Sequence, residues 1–148
     1  MADFALVTDA FEDAGDVPAR HTCDGENVSP PLRWSGVPDG TRSLALIVDD
    51  PDAPVGTFTH WLAWGLEPTA GGLEEGERAP VEGRSDFGEI GYGGPCPPPG
   101  HGRHRYVFRL HALDTGLALV AGATRTELES AIDGHVLEVA QLTGGYAR

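Results

Sequence analysis

Lysine is missing altogether. All ten basic residues of the 148-residue chain are arginines, set against 23 aspartates and glutamates, for a formal charge of −13. A field of that sign repels nucleic-acid backbones and anionic lipid surfaces, so neither is expected as a partner, and any bound anion has to be gripped by a local site. Long apolar runs are missing too: no stretch of eighteen apolar residues occurs, so no transmembrane segment is expected. The opening MADFALVTDAF holds two aspartates and no basic segment. That is not the pattern of a secretory signal, and a cytoplasmic location is expected. Cysteine is scarce. Cys23 and Cys96 are far apart and form neither a C-x-x-C pair nor a zinc knuckle. In a reducing cytoplasm two free thiols are expected, with pairing as the alternative if the fold brings them together. Nothing repeats, and the length suits one domain, residues 1–148, around one core.

Glycine and proline are abundant, at 21 and 12 residues, and they concentrate in one place. From Gly91 to Gly102 the chain reads GYGGPCPPPGHG, a composition that no helix and no central strand tolerates. Directly after it, Arg105 to Leu113 reads as a strand. Tyr106, Phe108, Leu110 and Ala112 share one parity, and Arg105, Arg109 and His111 the other. A stiff loop thus delivers His104, Arg105 and Tyr106 to the mouth of a packed strand, the arrangement of a rigid binding site.

Before this segment, short strands are expected at Phe4–Val7 and from Leu32 to Trp34. Ser43 to Asp50, SLALIVDD, is apolar on both parities and is placed centrally, covered on both faces. It runs into PDAP, whose prolines hold Asp49, Asp50 and Asp52 at a fixed corner. Thr59 to Leu66 is the next strand, with His60, Leu62, Trp64 and Leu66 on one parity. An antiparallel pairing of these two strands would set Asp50 beside His60, where a hydrogen bond would orient the ring and favour its charged form. Residues 67 to 90 read as an acidic surface loop. Leu117 to Val120 suggests a short strand. Thr124 with Glu127 forms a capping box, followed by a helical stripe of Leu128, Ile132, Val136 and Val139 that Gly134 would bend. Gln141 to Tyr146 reads as a last strand.

The segments DPDAP, His60-Trp61, GYGGPCPPPG and HRYVFRLHAL, in that order, resemble the phosphatidylethanolamine-binding protein family, its short prokaryotic branch in particular. TCDGENVSPPLRWSGVP and the tail GATRTELESAIDGHVLEVAQLTGGYAR carry the same resemblance, which therefore covers nearly the whole chain. It implies a mostly β, sandwich-like fold with a Greek-key element, a late helix, and a small anion-accepting pocket at one end. Matched motif by motif, that pocket involves Asp50, Asp52, Pro54, His60, Gly94, Pro95, His104 and Tyr106. The implied ligand is a small anionic or zwitterionic phosphate-containing group of the phosphoethanolamine type, bound without catalysis, cofactor or resident metal.

The chemistry of these residues agrees in part. Tyr106 offers a hydroxyl, His60 and His104 offer ring N–H groups, and a glycine-rich turn exposes backbone N–H groups, all suited to an oxyanion. Asp50 suits an ammonium or a histidine instead. Two alternatives accompany this reading. One is a protease or kinase inhibitor or scaffold acting through surface loops on a protein partner. The other is a weak phosphoester hydrolase using Asp50 and His60 as a general base, although no G-x-S-x-G or H-E-x-x-H motif is present. The oligomeric state is left open, a homodimer included.

Overall fold

The structure is a computed structural model and describes residues 3–148. Two antiparallel sheets and one helix make three layers. The smaller sheet is formed by β1 (Ala5–Val7), β2 (Leu32–Ser35) and β5 (Gly72–Leu73), with β2 in the middle. The larger sheet contains β3 (Ser43–Asp50), β4 (Phe58–Leu66), β6 (Val81–Glu82), β7 (His104–Leu113) and β8 (Val136–Tyr146), in the spatial order β6-β4-β3-β7-β8. A single 3-10 turn spans Ala19–His21, and the helix α1 spans Arg125–Ile132.

Strand β3 is central and buried along its whole length, as its two-sided apolar pattern requires. On one face Leu44, Leu46 and Val48 pack with Leu6, Leu32 and Trp34 of the smaller sheet and with Tyr106, Phe108 and Leu110 of β7. On the other, Ala45 and Ile47 pack with Leu62, Trp64 and the helix residues Leu128 and Ile132. Fully burying one such side chain contributes roughly 1.5–3 kcal/mol, so the two faces of β3 hold the three layers together.

Several expectations are corrected. The stretch 67–90 is more than a loop: β5 pairs with β2 and β6 with β4, so it ties both sheets, and Glu82 is buried where it accepts the Trp61 indole N–H at 2.8 Å. Residues 117–120 form no strand. The capping box is present, with Thr124 Oγ1 accepting the Glu127 N–H and Glu127 accepting the Thr124 N–H. The helix nevertheless stops at Ile132, because Gly134 adopts φ +79°, a left-handed conformation that ends a helix instead of bending it. Val136 and Val139 consequently belong to β8, where both are exposed, and this strand is longer than the segment from Gln141 suggested.

The thiols are not free. Cys23 and Cys96 form a disulfide, with Cα atoms 5.4 Å apart. Their approach is set by backbone contacts that sequence spacing does not reveal. The Cys23 N–H donates to the Pro95 carbonyl at 3.1 Å, and the Gly94 N–H donates to Asn27 Oδ1 at 2.8 Å. Gly94 is indispensable to this meeting, since a Cβ there would lie 2.1 Å from the His21 carbonyl oxygen.

Candidate functional site

The chemistry-bearing side chains converge where β3 ends, β4 begins and β7 begins. Two irregularities aim them. Between Val48 and Asp49 the β3–β4 register shifts, so that Val48 faces Trp61 while Asp49 faces Thr59. His60 is the extra residue, a β-bulge that turns its ring toward the face carrying Tyr106 instead of the helix face that Leu62 and Trp64 occupy. The proline corner then sends the chain away immediately after Asp50, leaving that carboxylate at the strand end.

These groups line a cavity of about 290 Å³. Asp50, His60, His104 and Tyr106 are its polar lining. Pro54, Val55, Phe58, Phe87, Pro97 and Pro98 give an apolar wall and mouth. Cys96 lines it as well, so the disulfide forms part of the wall. Of the other expected residues, Asp52 is not in the lining. It holds Arg105 through a two-pronged ion pair, accepting from the guanidinium at 2.8 and 2.9 Å and from the Arg105 backbone N–H at 3.0 Å. The Arg105 hydrogen bonds lower the Asp52 carboxyl to about 2. Gly94 and Pro95 stand behind the wall, bonded to the 22–27 turn as described, and neither lines the cavity.

The hydrogen-bond pattern corrects the expected pairing. Asp50 does not bond His60. Its Oδ2 accepts Nδ1–H of His104 at 2.7 Å, and its Oδ1 accepts the Asp52 N–H at 2.7 Å. His104 Nε2 lies 2.6 Å from Nδ1 of His101, giving a chain Asp50–His104–His101 that leads to the surface. His101 was missed from the sequence, although the spacing H-x-x-H at the end of the glycine–proline loop was the available signal. His60 Nδ1 is 2.7 Å from the Gly93 carbonyl. A carbonyl can only accept, so Nδ1 carries the proton and the neutral ring has its lone pair on Nε2. Burial pushes His60 below the ordinary histidine range, opposed in part by the Gly93 bond and by Asp50 and Asp49. Phe58, Phe87 and Tyr106 surround the ring, with centroids at 5.0, 5.2 and 5.2 Å.

Tyr106 is the exception to this pairing. Its hydroxyl is buried and has no hydrogen-bond partner among the described residues. Burial first, and then the negative charge of Asp50 and a contact with its carboxylate looser than a full hydrogen bond, raise its pKa, so it remains a protonated donor. A buried hydroxyl left without a partner costs about 1–3 kcal/mol, and one facing a cavity is a place for a ligand acceptor.

A sequence profile of the family described as phosphatidylethanolamine-binding protein matches residues 7–147. The chain belongs to that family. Among curated proteins it is 53% identical over 150 residues to the UPF0098 protein of Methanothermobacter thermautotrophicus, covering 97% of this chain and 98% of the relative. It is 49% identical over 154 residues to a UPF0098 protein of Pyrococcus abyssi, covering 99% and 86%. Among solved structures, a putative phosphatidylethanolamine-binding protein homolog from Chlamydia trachomatis superposes with a TM-score of 0.95 at 39% identity, over 100% of this chain and 99% of the other. E. coli YbcL, described as a new member of the mammalian family, gives 0.92 at 31% identity over 99% of each chain. The mostly β sandwich with a single late helix is thus the family fold.

A wider groove of about 790 Å³ lies on the opposite face of the larger sheet, between α1 and β8. Its arginines already serve the protein's own carboxylates: Arg125 and Arg109 lie 2.8 and 3.3 Å from buried Asp49, and Arg125 also reaches Glu129. The smaller cavity, with its unpartnered donor, is the stronger candidate. No helix among the described residues is long and apolar enough to cross a membrane.

Proposed function

We propose that the cavity binds the phosphate-bearing head of a small anionic or zwitterionic ligand, of the phosphoethanolamine type, and does not turn it over. The observation that carries this reading is the Tyr106 hydroxyl, a buried donor without a partner at the cavity wall. Tyr106 donates to a phosphate oxygen. His60 offers its Nε2 to the ligand from the neighbouring wall. Asp50 holds His104 in place, and because a carboxylate has about four acceptor sites, it retains capacity for a ligand ammonium. Pro54 shapes the rim, Asp52 anchors Arg105 beside it, and Gly94 and Pro95 hold the disulfide-bearing wall in position.

Two things favour binding over turnover. The cavity lining contains no serine, threonine or free thiol that the Asp50–His104 pair could activate. The wall is mostly apolar and proline-rich, which suits a preformed ligand pocket. Titration calorimetry with phosphoethanolamine tests the reading. Saturable binding by the wild type is expected, weakened at least tenfold in Tyr106→Phe and in His60→Ala. Identical binding by all three proteins, or none by the wild type, removes the cavity as the site.

A further inference from the structure

The ring N–H groups of the site are all spent within the protein. His104 gives Nδ1–H to Asp50, and its Nε2 is engaged by His101. His60 gives Nδ1–H to the Gly93 carbonyl, and its Nε2 makes no hydrogen bond among the described residues. The cavity therefore presents one donor, the Tyr106 hydroxyl, against two acceptors, His60 Nε2 and the remaining lone pairs of the Asp50 carboxylate. The cations nearby are committed as well: Arg105 is held by Asp52, and Arg148, whose Nη1 lies 3.5 Å from Cys96 Sγ, is paired with Asp24. The charged groups that act on the His60 ring are the carboxylates Asp50 and Asp49; Phe58, Phe87 and Tyr106 packed around it carry no charge. A fully ionised phosphate brings two negative charges and no proton, so it would meet a lone pair and a carboxylate with a single donor to hold it.

We infer that the cavity selects a head group that brings its own proton, taking the hydrogen-phosphate monoanion in preference to the dianion, with the ligand O–H donated to His60 Nε2 and a second ligand oxygen accepting from Tyr106. This rests on the phosphate-binding reading above and narrows it. Burial keeps the His60 ring below the ordinary histidine range, so the lone pair is in place at and above neutral pH.

Calorimetry with methyl phosphate and dimethyl phosphate between about pH 6.5 and 8 tests it, the monoester having a second ionisation near pH 6. The apparent affinity for methyl phosphate should fall about tenfold per pH unit as the dianion takes over, with uptake of about one proton per binding event at the upper end. Dimethyl phosphate is a monoanion with no proton to donate. It should bind at least tenfold more weakly than methyl phosphate at the lower end. Equal affinities for the two esters there, or methyl phosphate binding that is flat with pH, overturn the inference and leave phosphate binding standing. Absence of binding by either ester, together with phosphoethanolamine, overturns the phosphate reading itself. His60→Gln, which can offer an amide N–H as well as an acceptor, should flatten the pH dependence. His60→Phe, checked for folding by circular dichroism, should lose the preference between esters. A slope unchanged in both variants assigns the selection to some group other than His60.

Discussion

Tyr106 and Asp52 show how differently two neighbouring polar groups contribute. The Tyr106 hydroxyl makes no full hydrogen bond among the described residues, so removing it gives up little and relieves an unsatisfied buried group. Tyr106→Phe should leave thermal stability unchanged or raise it by up to about 1 kcal/mol while abolishing most ligand binding. A melting curve with a marked loss would show that the hydroxyl has a structural partner after all. Asp52 acts the other way, since its pKa is lowered to about 2 by its hydrogen bonds to Arg105. A depressed carboxyl stabilises above its unfolded value, 3.8, and loses that contribution as pH falls toward 2. Because the Arg105 side chain is largely exposed, Asp52→Asn should cost no more than about 1 kcal/mol at neutral pH. The difference from wild type should shrink as pH falls through about 2 and vanish below it, and acid titrations of stability would read it. At this scale the convergence of Asp50, His60, His104 and Tyr106 on one cavity was legible, because polar residues at strand ends beside prolines have few structural reasons to be there. Their partners were not. Which carboxylate meets which imidazole depends on a bulge at His60 and on the Gly93 carbonyl, and neither leaves a mark in residue type.

Elements were legible where one period held and failed where it broke. Strand β7 alternates and β3 is an unbroken apolar run between turn residues, and both were placed within a residue of their ends. The stripe from Leu128 to Val139 matched a helix on paper, but Gly134 at positive φ converted its second half into β8. The short strands β5 and β6 were illegible because two residues carry no periodicity; their pairing comes from the sheets that receive them. The disulfide is the consequential element-level surprise, because it fastens the Cys96–Pro98 wall to the turn that follows Ala19–His21. Both cysteines are exposed, so a dithiol can reach the bond. Reduction should weaken binding of phosphoethanolamine several-fold by loosening that wall, with the sheets intact, since the strand pairing and both core clusters lie elsewhere. Calorimetry with and without dithiothreitol, beside circular dichroism, checks this; full affinity in the reduced protein would mean that the Cys23–Pro95 and Asn27–Gly94 bonds hold the wall unaided. At the helix start, Thr124→Ala removes the capping hydroxyl and should cost about 1 kcal/mol in denaturant midpoint.

For the whole molecule the governing quantity is charge. Only Arg42 and Arg84 of the ten arginines make no ion pair with a carboxylate among the described residues. The compensating positive charge is thus already placed at short range, and the excess of thirteen negative charges repels over longer distances. Salt separates the two. A chain of this length has a radius of gyration of about 15 Å, while the screening length falls from about 30 Å at 0.01 M salt to about 3 Å at 1 M. At low salt every carboxylate therefore acts on the others across the molecule, and at high salt that repulsion is gone. Pairs such as Asp49–Arg125, at 2.8 Å and with Asp49 buried, persist because little electrolyte enters between the partners. Stability should consequently rise with sodium chloride, most steeply below about 0.05 M, where the screening length passes below the molecular radius. Melting temperatures across that series would read the effect directly. A fall with added salt would mean that the exposed ion pairs, each worth at most about 1 kcal/mol, together outweigh the long-range repulsion, and that the missing lysines have been made good by placement alone.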